Sequence, residues 1–296
     1  MKTAWVSFLL LMSCWVAGVF SKNRPSSEPF ISGDTFRAHC AFVLDEDSLR
    51  FDPCLVSKGD TVFVGLGYLE QFFHDYHPKI KNKYILISHN HDFSAPGRFA
   101  RYLTDEKLFA WFTQNADLAD HPKLIPIPIG LSNKWHPHSR NHDIIINRMR
   151  RQEYGPKRFV LYNNIVINTN RNERAKLYEY FKKQSYVFTK HGLFDEYLAT
   201  IAQSKFVLSP HGNGLDCHRT WEALYMGTFP LVKTSTLDRL YDELPVLIVN
   251  DWKEVTQSFL EQKYQEMLRK KYKWEKLFFE YWFDLIREYQ VKCRAS

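Results

Sequence analysis

Residues 204–251 read SKFVLSPHGNGLDCHRTWEALYMGTFPLVKTSTLDRLYDELPVLIVND, and this stretch decides the fold. An apolar run, Phe206 to Leu208, ends in Ser-Pro-His-Gly-Asn-Gly. A short helical pattern follows, with Arg219 and Glu222 in its opening turns. Gly227 closes it, and a second apolar run begins at Phe229. Strand, polar glycine loop, helix and strand form the layout by which α/β proteins hold a phosphorylated ligand at a helix N-terminus.

The same alternation extends on both sides. Phe159–Ile167 predicts a strand, Arg171–Lys183 a helix, Tyr186–Thr189 a strand and Phe194–Gln203 a helix. Leu237–Asp242 and Val246–Val249 continue the series, which gives a doubly wound α/β unit of five strands. Before it, strand-like runs lie at Thr61–Val64, Tyr84–Ser88, Leu108–Phe112 and Leu124–Ile129, with helical stretches at Tyr68–Tyr76 and Gly97–Tyr102. Continuous apolar strands of this kind suit a buried parallel sheet. The polar, turn-rich residues 131–155 are a candidate boundary between two halves. Two long amphipathic patterns follow Trp252.

Composition bounds the answer. The chain has 296 residues, 45% of them apolar and 25% charged, enough for one large domain or two ordinary ones. The net charge of +7 favours anionic partners. Lysines and arginines are not interleaved with aromatics in a way that points to nucleic acid; Arg269, Lys270, Lys271 and Lys273 read as a solvated helix face. An apolar run from Ala4 to Phe20 sits between Lys2 and Lys22-Asn23-Arg24. Residues 1–21 therefore read as a signal peptide or signal anchor, and residues 22–29 as a linker. Either leader implies an exported or endomembrane protein. Cys40, Cys54, Cys217 and Cys293 remain after it, which permits two disulfides in three pairings or a set of free thiols; Cys40 and Cys54 are near enough to staple a local loop.

The chemistry concentrates at two helix starts. Arg219 stands three residues after Asp216, a candidate cap; Arg171 and Arg174 follow Asn170, another candidate cap, with Glu173 at the capping-box position. A cation in a first turn opposes the helix macrodipole. The placement makes sense if an anion lies between the arginines, and the guanidinium fork suits phosphate. Glu222, on the same helix face as Arg219, can accept from a ribose diol. Trp221 and Tyr225 are expected to pack onto the sheet, while Gly212 and Gly214 allow close backbone approach.

The run SPHGNGLDCHRTWEALYMGTFPLV, followed by LPVLIV, resembles the donor-binding half of exostosin-like glycosyltransferases. In that family a strand leads to Ser/Cys-Pro-x-Gly, then to R-x-x-E-A-x-x-x-G-x-x-P and another strand. Asn168-Thr169-Asn170 with Glu173-Arg174 is similar to the Arg-bearing helix start of several such enzymes, fucosyltransferases among them. The resemblance covers residues 159–252. It implies a GT-B-like fold, two Rossmann-like halves with a reduced N-terminal half. Residues 30–150 would form the acceptor half, 151–275 the nucleotide-sugar half, and 276–296 a helix crossing back. It implies that Arg174 and Arg219 grip a diphosphate, that Glu222 binds the ribose, and that Asn170, Ser209, His211, Gly212, Asn213 and Gly214 complete the donor site. The implied reaction moves a sugar from a nucleotide-diphosphate sugar to a hydroxyl of a glycan, glycoprotein or lipid, without metal or other cofactor.

Such a transfer needs a base for the acceptor hydroxyl. The candidates are His89 and Asp92, in His89-Asn90-His91-Asp92 after the strand Tyr84–Ser88. The same residues suggest a metal-dependent hydrolase, with His136 or His138 as a further ligand, but Phe93 and Ser94 stand where an HxHxDH site needs Asp and His. Asp45-Glu46-Asp47 could be a DxD metal motif and reads instead as a solvated loop. A nucleotide- or glycan-binding protein without turnover is the non-enzymatic alternative.

Overall fold

A computed structural model describes residues 24–133, 141–150 and 156–296. Residues 1–21, for which a signal peptide or anchor is expected, and His136 and His138 lie outside the described residues. The architecture is α/β with two parallel five-stranded sheets, a GT-B-like pair of Rossmann-type halves.

The first sheet contains β1 (Phe42–Leu44), β2 (Thr61–Gly65), β3 (Tyr84–His89), β4 (Leu108–Thr113) and β5 (Leu124–Pro126), in that spatial order. Successive parallel strands in sequential order place every right-handed crossover on one face. That face is covered economically. The connection after β2 is a 3-10 turn (Leu66–Tyr68), one α turn (Leu69–Gln71) and a π segment (Phe72–Tyr76), not the continuous helix its pattern predicts. Gly97–Thr104 is likewise 3-10. Phe73 anchors this layer, stacked on Tyr102 with ring centroids 4.0 Å apart. The other face is covered from the far end of the chain, as described below.

The second sheet contains β6 (Phe159–Asn163), β7 (Val187–Thr189), β8 (Ser204–Leu208), β9 (Phe229–Lys233) and β10 (Leu247–Val249), ordered β10-β9-β8-β6-β7. The chain reverses direction across the sheet between β6 and β8. At such a switch point a crevice opens outside the carboxyl ends of the strands. Both faces are buried: Phe206 and Leu208 join one core and Val207, between them, the other. This accounts for the unbroken apolar runs.

Helices α1 (Gly33–Ala38), α2 (Asn141–Arg150), α3 (Arg171–Lys182), α4 (Phe194–Ala202), α5 (His218–Tyr225), α6 (Gln257–Leu268) and α7 (Phe279–Ala295) surround the sheets. α5 is held on nearly all sides; Trp221, Ala223, Leu224 and Tyr225 are each fully buried. Gly227, at φ +64°, ends it. α7 runs back over the first sheet, where Tyr289 meets Phe112 edge-on at 5.2 Å and Gln290 bonds the Gly59 carbonyl at 3.0 Å.

Two expectations, on residues 24–29 and on Asp45, are corrected here, and the cysteines take the free-thiol alternative. Residues 24–29 are not a loose linker: Ser27 is buried, and its backbone N–H donates to Thr35 Oγ1 at 3.0 Å. Cys40, Cys54, Cys217 and Cys293 are free; Cys40 is buried with its thiol on the Phe36 carbonyl, while Cys54 is exposed. Asp45 is not solvated but fully buried, bonded by Arg37 and by the N–H groups of Asp47 and Ser48. Among the described residues, no helix is long and apolar enough to cross a membrane.

Candidate functional site

The carboxyl ends of both sheets face a cleft of about 1000 Å³. His89, Asp92, Arg174, Gly212, Asn213, Arg219 and Glu222 all line it. Ser209, His211, Gly214 and Asn170 do not.

Arg174 departs most from expectation. Its guanidinium has five N–H donors, and all five are used. Nε donates to the His211 carbonyl at 2.7 Å. Nη1 donates to the Val166 carbonyl at 3.2 Å and to Thr169 Oγ1 at 2.6 Å. Nη2 donates to the Pro210 carbonyl at 3.0 Å and approaches Cys217 Sγ at 3.5 Å. No fork is left for a phosphate, so Arg174 is corrected from ligand grip to clamp. It ties the loop after β6, the glycine loop and the start of α5 into one unit. None of its partners is a carboxylate, so its buried charge adds to the positive potential of the cleft.

Arg219 is the reverse case. One Nη2 bond reaches the Asn164 carbonyl at 2.7 Å, and its buried Nε has no partner among the described residues. It opens α5, whose N-cap, Cys217, caps nothing with its side chain. A helix start without a side-chain cap and an under-used guanidinium therefore meet at the switch point, an anion-attracting arrangement. Three residues on, Glu222 is buried in the cleft wall and accepts from the Tyr197 hydroxyl at 2.8 Å. The Tyr197 hydroxyl is held well above its ordinary value by burial and then by Glu222.

The glycines serve protein-to-protein contact. A Cβ on Gly214 would lie 2.5 Å from Asn115 Nδ2, and one on Gly212 would lie 3.2 Å from Arg174 Nη2. Asn213 takes the Asn170 backbone N–H at 3.3 Å and donates to Asp92 Oδ2 at 3.1 Å, bridging the two halves at the mouth. Ser209 is buried, its hydroxyl shared with Thr220 at 2.9 Å, so it supports the wall and does not line it. His211 contributes its carbonyl to Arg174, and burial lowers the affinity of its imidazole for a proton. Asn170 sits at the N-cap of α3 with φ +47°, but its side chain bonds Glu173 at 3.0 Å and caps nothing. The expected capping box is absent.

His89 is corrected as a base. Nε2 faces the Pro128 carbonyl at 3.0 Å, and Nδ1 accepts the Asn90 N–H at 2.8 Å. Both nitrogens are occupied, and burial drives the pKa down to about 4. The same occupancy removes His89 as a metal ligand, which needs a free ring nitrogen. Among the described residues, no group of three or more His, Cys, Asp or Glu is placed to hold a metal ion.

Asp216, a candidate helix cap by its sequence position, is a latch between the two halves. It is fully buried, and four donors converge on it: Cys217 N (2.8 Å), Tyr241 OH (3.0 Å), Trp221 Nε1 (2.8 Å) and, from the first half, Ile129 N (2.9 Å). Its own N–H donates to Asn115 Oδ1 at 2.9 Å. His218 adds a second cross-link through Nδ1, 2.7 Å from the Gly130 carbonyl. These contacts join residues about a hundred positions apart, beyond the reach of any local pattern.

No family model matches the chain, and no curated protein matches it. Among solved structures, the chain is similar to a chain of one described as the crystal structure of GtfA/B complex, at 13% identity and a TM-score of 0.35. The likeness covers 80% of this chain and 58% of that one, so this chain spans less than two thirds of its length.

Proposed function

We propose that the chain is a glycosyltransferase that moves a sugar from a nucleotide-diphosphate sugar to a hydroxyl acceptor without a metal ion. The observation that carries this reading is the pairing of Arg219 with the uncapped start of α5. The leaving diphosphate gains negative charge as the sugar departs, and fixed donors aimed at that position stabilise it. Glu222, on the same helix and in the same cleft, suits the ribose hydroxyls. Arg174, Asn170 and the loop 209–214 would hold this donor site in shape. The acceptor would enter from the first half, where Asp92 and Glu46 stand on the wall. The exostosin-like subtype rests on the sequence motif alone.

Binding without turnover is the second reading. It draws on the occupied nitrogens of His89 and on the bond from Asn213 to Asp92, which engage both of the bases that the sequence offers.

The test is thermal stability of the protein with UDP and with GDP, each with and without chelator. One of the two should stabilise it equally in both conditions, and Arg219→Ala should remove that gain. Stabilisation that vanishes with chelator, or survives Arg219→Ala, would sink the proposal. Release of nucleotide from the matching sugar donor separates the enzyme from the binding module.

A further inference from the structure

We infer that His218 is a catalytic residue of this cleft: the group that takes the proton from the attacking hydroxyl. The inference rests on the glycosyltransferase reading and adds the base that reading requires.

The argument is one of tautomers. A neutral imidazole carries one N–H and one lone pair, and the partner of one nitrogen decides the state of the other. His91 Nδ1 accepts the Phe93 N–H at 3.2 Å, so its proton sits on Nε2 and the ring can only donate there. His89 has no free nitrogen. His191 makes no hydrogen bond with a described residue that would fix its tautomer. His218 is arranged the other way. A carbonyl can only accept, so the 2.7 Å contact with Gly130 puts the proton on Nδ1 and leaves the lone pair on Nε2. That nitrogen has no partner among the described residues, and the side chain lines the cleft.

The anchor is firm. Gly130 has φ +65°, and a Cβ there would lie 2.2 Å from the Ile31 carbonyl oxygen. The next residue, Leu131, donates its N–H to that same oxygen at 2.8 Å. The imidazole is thus fixed from the opposite half by a backbone group, as an orienting partner fixes a catalytic histidine. The two carboxylates that the first half places on the wall, Glu46 and Asp92, are held less well. Glu46 is exposed and has no hydrogen-bond partner among the described residues, and exposed Asp92 is tied to Asn213.

In the step, the acceptor O–H bond breaks and its proton passes to His218 Nε2. The oxygen forms the new bond to the sugar's anomeric carbon. The bond from that carbon to the diphosphate breaks, and its electron pair leaves with the nucleotide, beside Arg219. The proton then returns to solvent. The titratable and charged groups that share the cleft wall with the imidazole include Asp216, Arg219 and Glu222 on its own segment, His89, Glu46 and Asp92 from the first half, and Arg174 from α3.

Two measurements test this on the whole chain. Two-bond 1H–15N spectra of protein with 15N-labelled histidine should contain an Nδ1–H ring signal that is lost in His218→Asn, distinct from that of exposed His74, whose Nδ1 faces Asp75 Oδ1 at 2.6 Å. An Nε2–H form for His218 overturns the inference and needs no substrate to detect. Nucleotide release from UDP-glucose, UDP-N-acetylglucosamine and GDP-mannose, with water as acceptor, gives the second readout. His218→Asn keeps an N–H for Gly130 but lacks Nε2; it should lower kcat about 100-fold, leave UDP or GDP stabilisation intact, and recover in part with added imidazole. Release at the wild-type rate by His218→Asn, with loss in Asp92→Asn or Glu46→Gln instead, overturns the inference alone. A wild-type chain that neither UDP nor GDP stabilises overturns the parent reading, and this inference with it.

Discussion

The carboxylate of Asp216 accepts the backbone N–H of Ile129 at 2.9 Å, so the residue that opens the α5 segment is bonded to the other half of the molecule. Trp221 Nε1 shares the same oxygen, and Tyr241 OH and Cys217 N share the other. Asp216→Ala would leave these buried donors without their acceptor, at about 1–3 kcal/mol for each buried group left unpaired. We expect a loss on the order of 4 kcal/mol in urea unfolding. Asp216→Asn should lose less, because its carbonyl oxygen still accepts. A loss below about 1 kcal/mol in the alanine variant would mean the latch does not bear on stability.

The two cleft arginines should separate cleanly. Arg174→Ala removes five hydrogen bonds that tie three segments together, so the unliganded protein should unfold about 3 kcal/mol more easily. Arg219→Ala removes one bond to the Asn164 carbonyl and should cost about 1 kcal/mol or less without nucleotide. With nucleotide present the order reverses, and Arg219→Ala should show the loss of ligand stabilisation. Equal effects of the two variants on the unliganded protein would refute the division into clamp and ligand.

That division marks what could be read from the chain. Alternating apolar runs and glycine punctuation place nine of the ten strands, because a strand buried on both faces has no polar alternation to obscure it. β1 escapes, being three residues long. The first turns carrying Arg174 and Arg219 stand out for the same reason, a cation against the dipole. Nothing local distinguishes the two, since Arg174 is consumed by carbonyls of segments up to 37 residues away. The sequence marks Asp216 only as a cap and gives His218 no role, because their decisive partners, Ile129 and Gly130, lie 87 and 88 positions distant. Asp45 shows the converse: an acidic run looks solvated until Arg37 is folded against it.

Acid should weaken the fold through His89. Burial lowers its pKa to about 4, against roughly 6.5 in an unfolded chain. The folded form then binds fewer protons between those values. Its contribution is complete above about pH 6.5 and lost as pH falls toward 4, for a total of about 3 kcal/mol. Burial lowers His77 as well, in the same direction. Asp216 runs the other way: burial raises its carboxyl, so its contribution is present below the unfolded value and lost as pH rises through the folded one. His89→Gln, which keeps a donor for the Pro128 carbonyl, should flatten the unfolding midpoint between pH 7 and pH 4.5. An unchanged slope would assign the acid sensitivity elsewhere.

Glu222 offers the most direct check on ligand class. Its carboxylate is buried, with one oxygen already taken by the Tyr197 hydroxyl. A hydrogen bond from a sugar hydroxyl to a charged group is worth about 1.5–3 kcal/mol. Glu222→Gln keeps an acceptor for Tyr197 while removing the charge, so the fold should hold and nucleotide affinity should fall about tenfold, near 1.4 kcal/mol. If the partner is a ribose hydroxyl, one of the 2′-deoxy and 3′-deoxy nucleotides should bind wild type about as weakly as the parent nucleotide binds Glu222→Gln. The same deoxy compound should lose little further on the variant, because the two changes remove one interaction. Additive losses would place the ribose elsewhere and leave Glu222 to orient Tyr197.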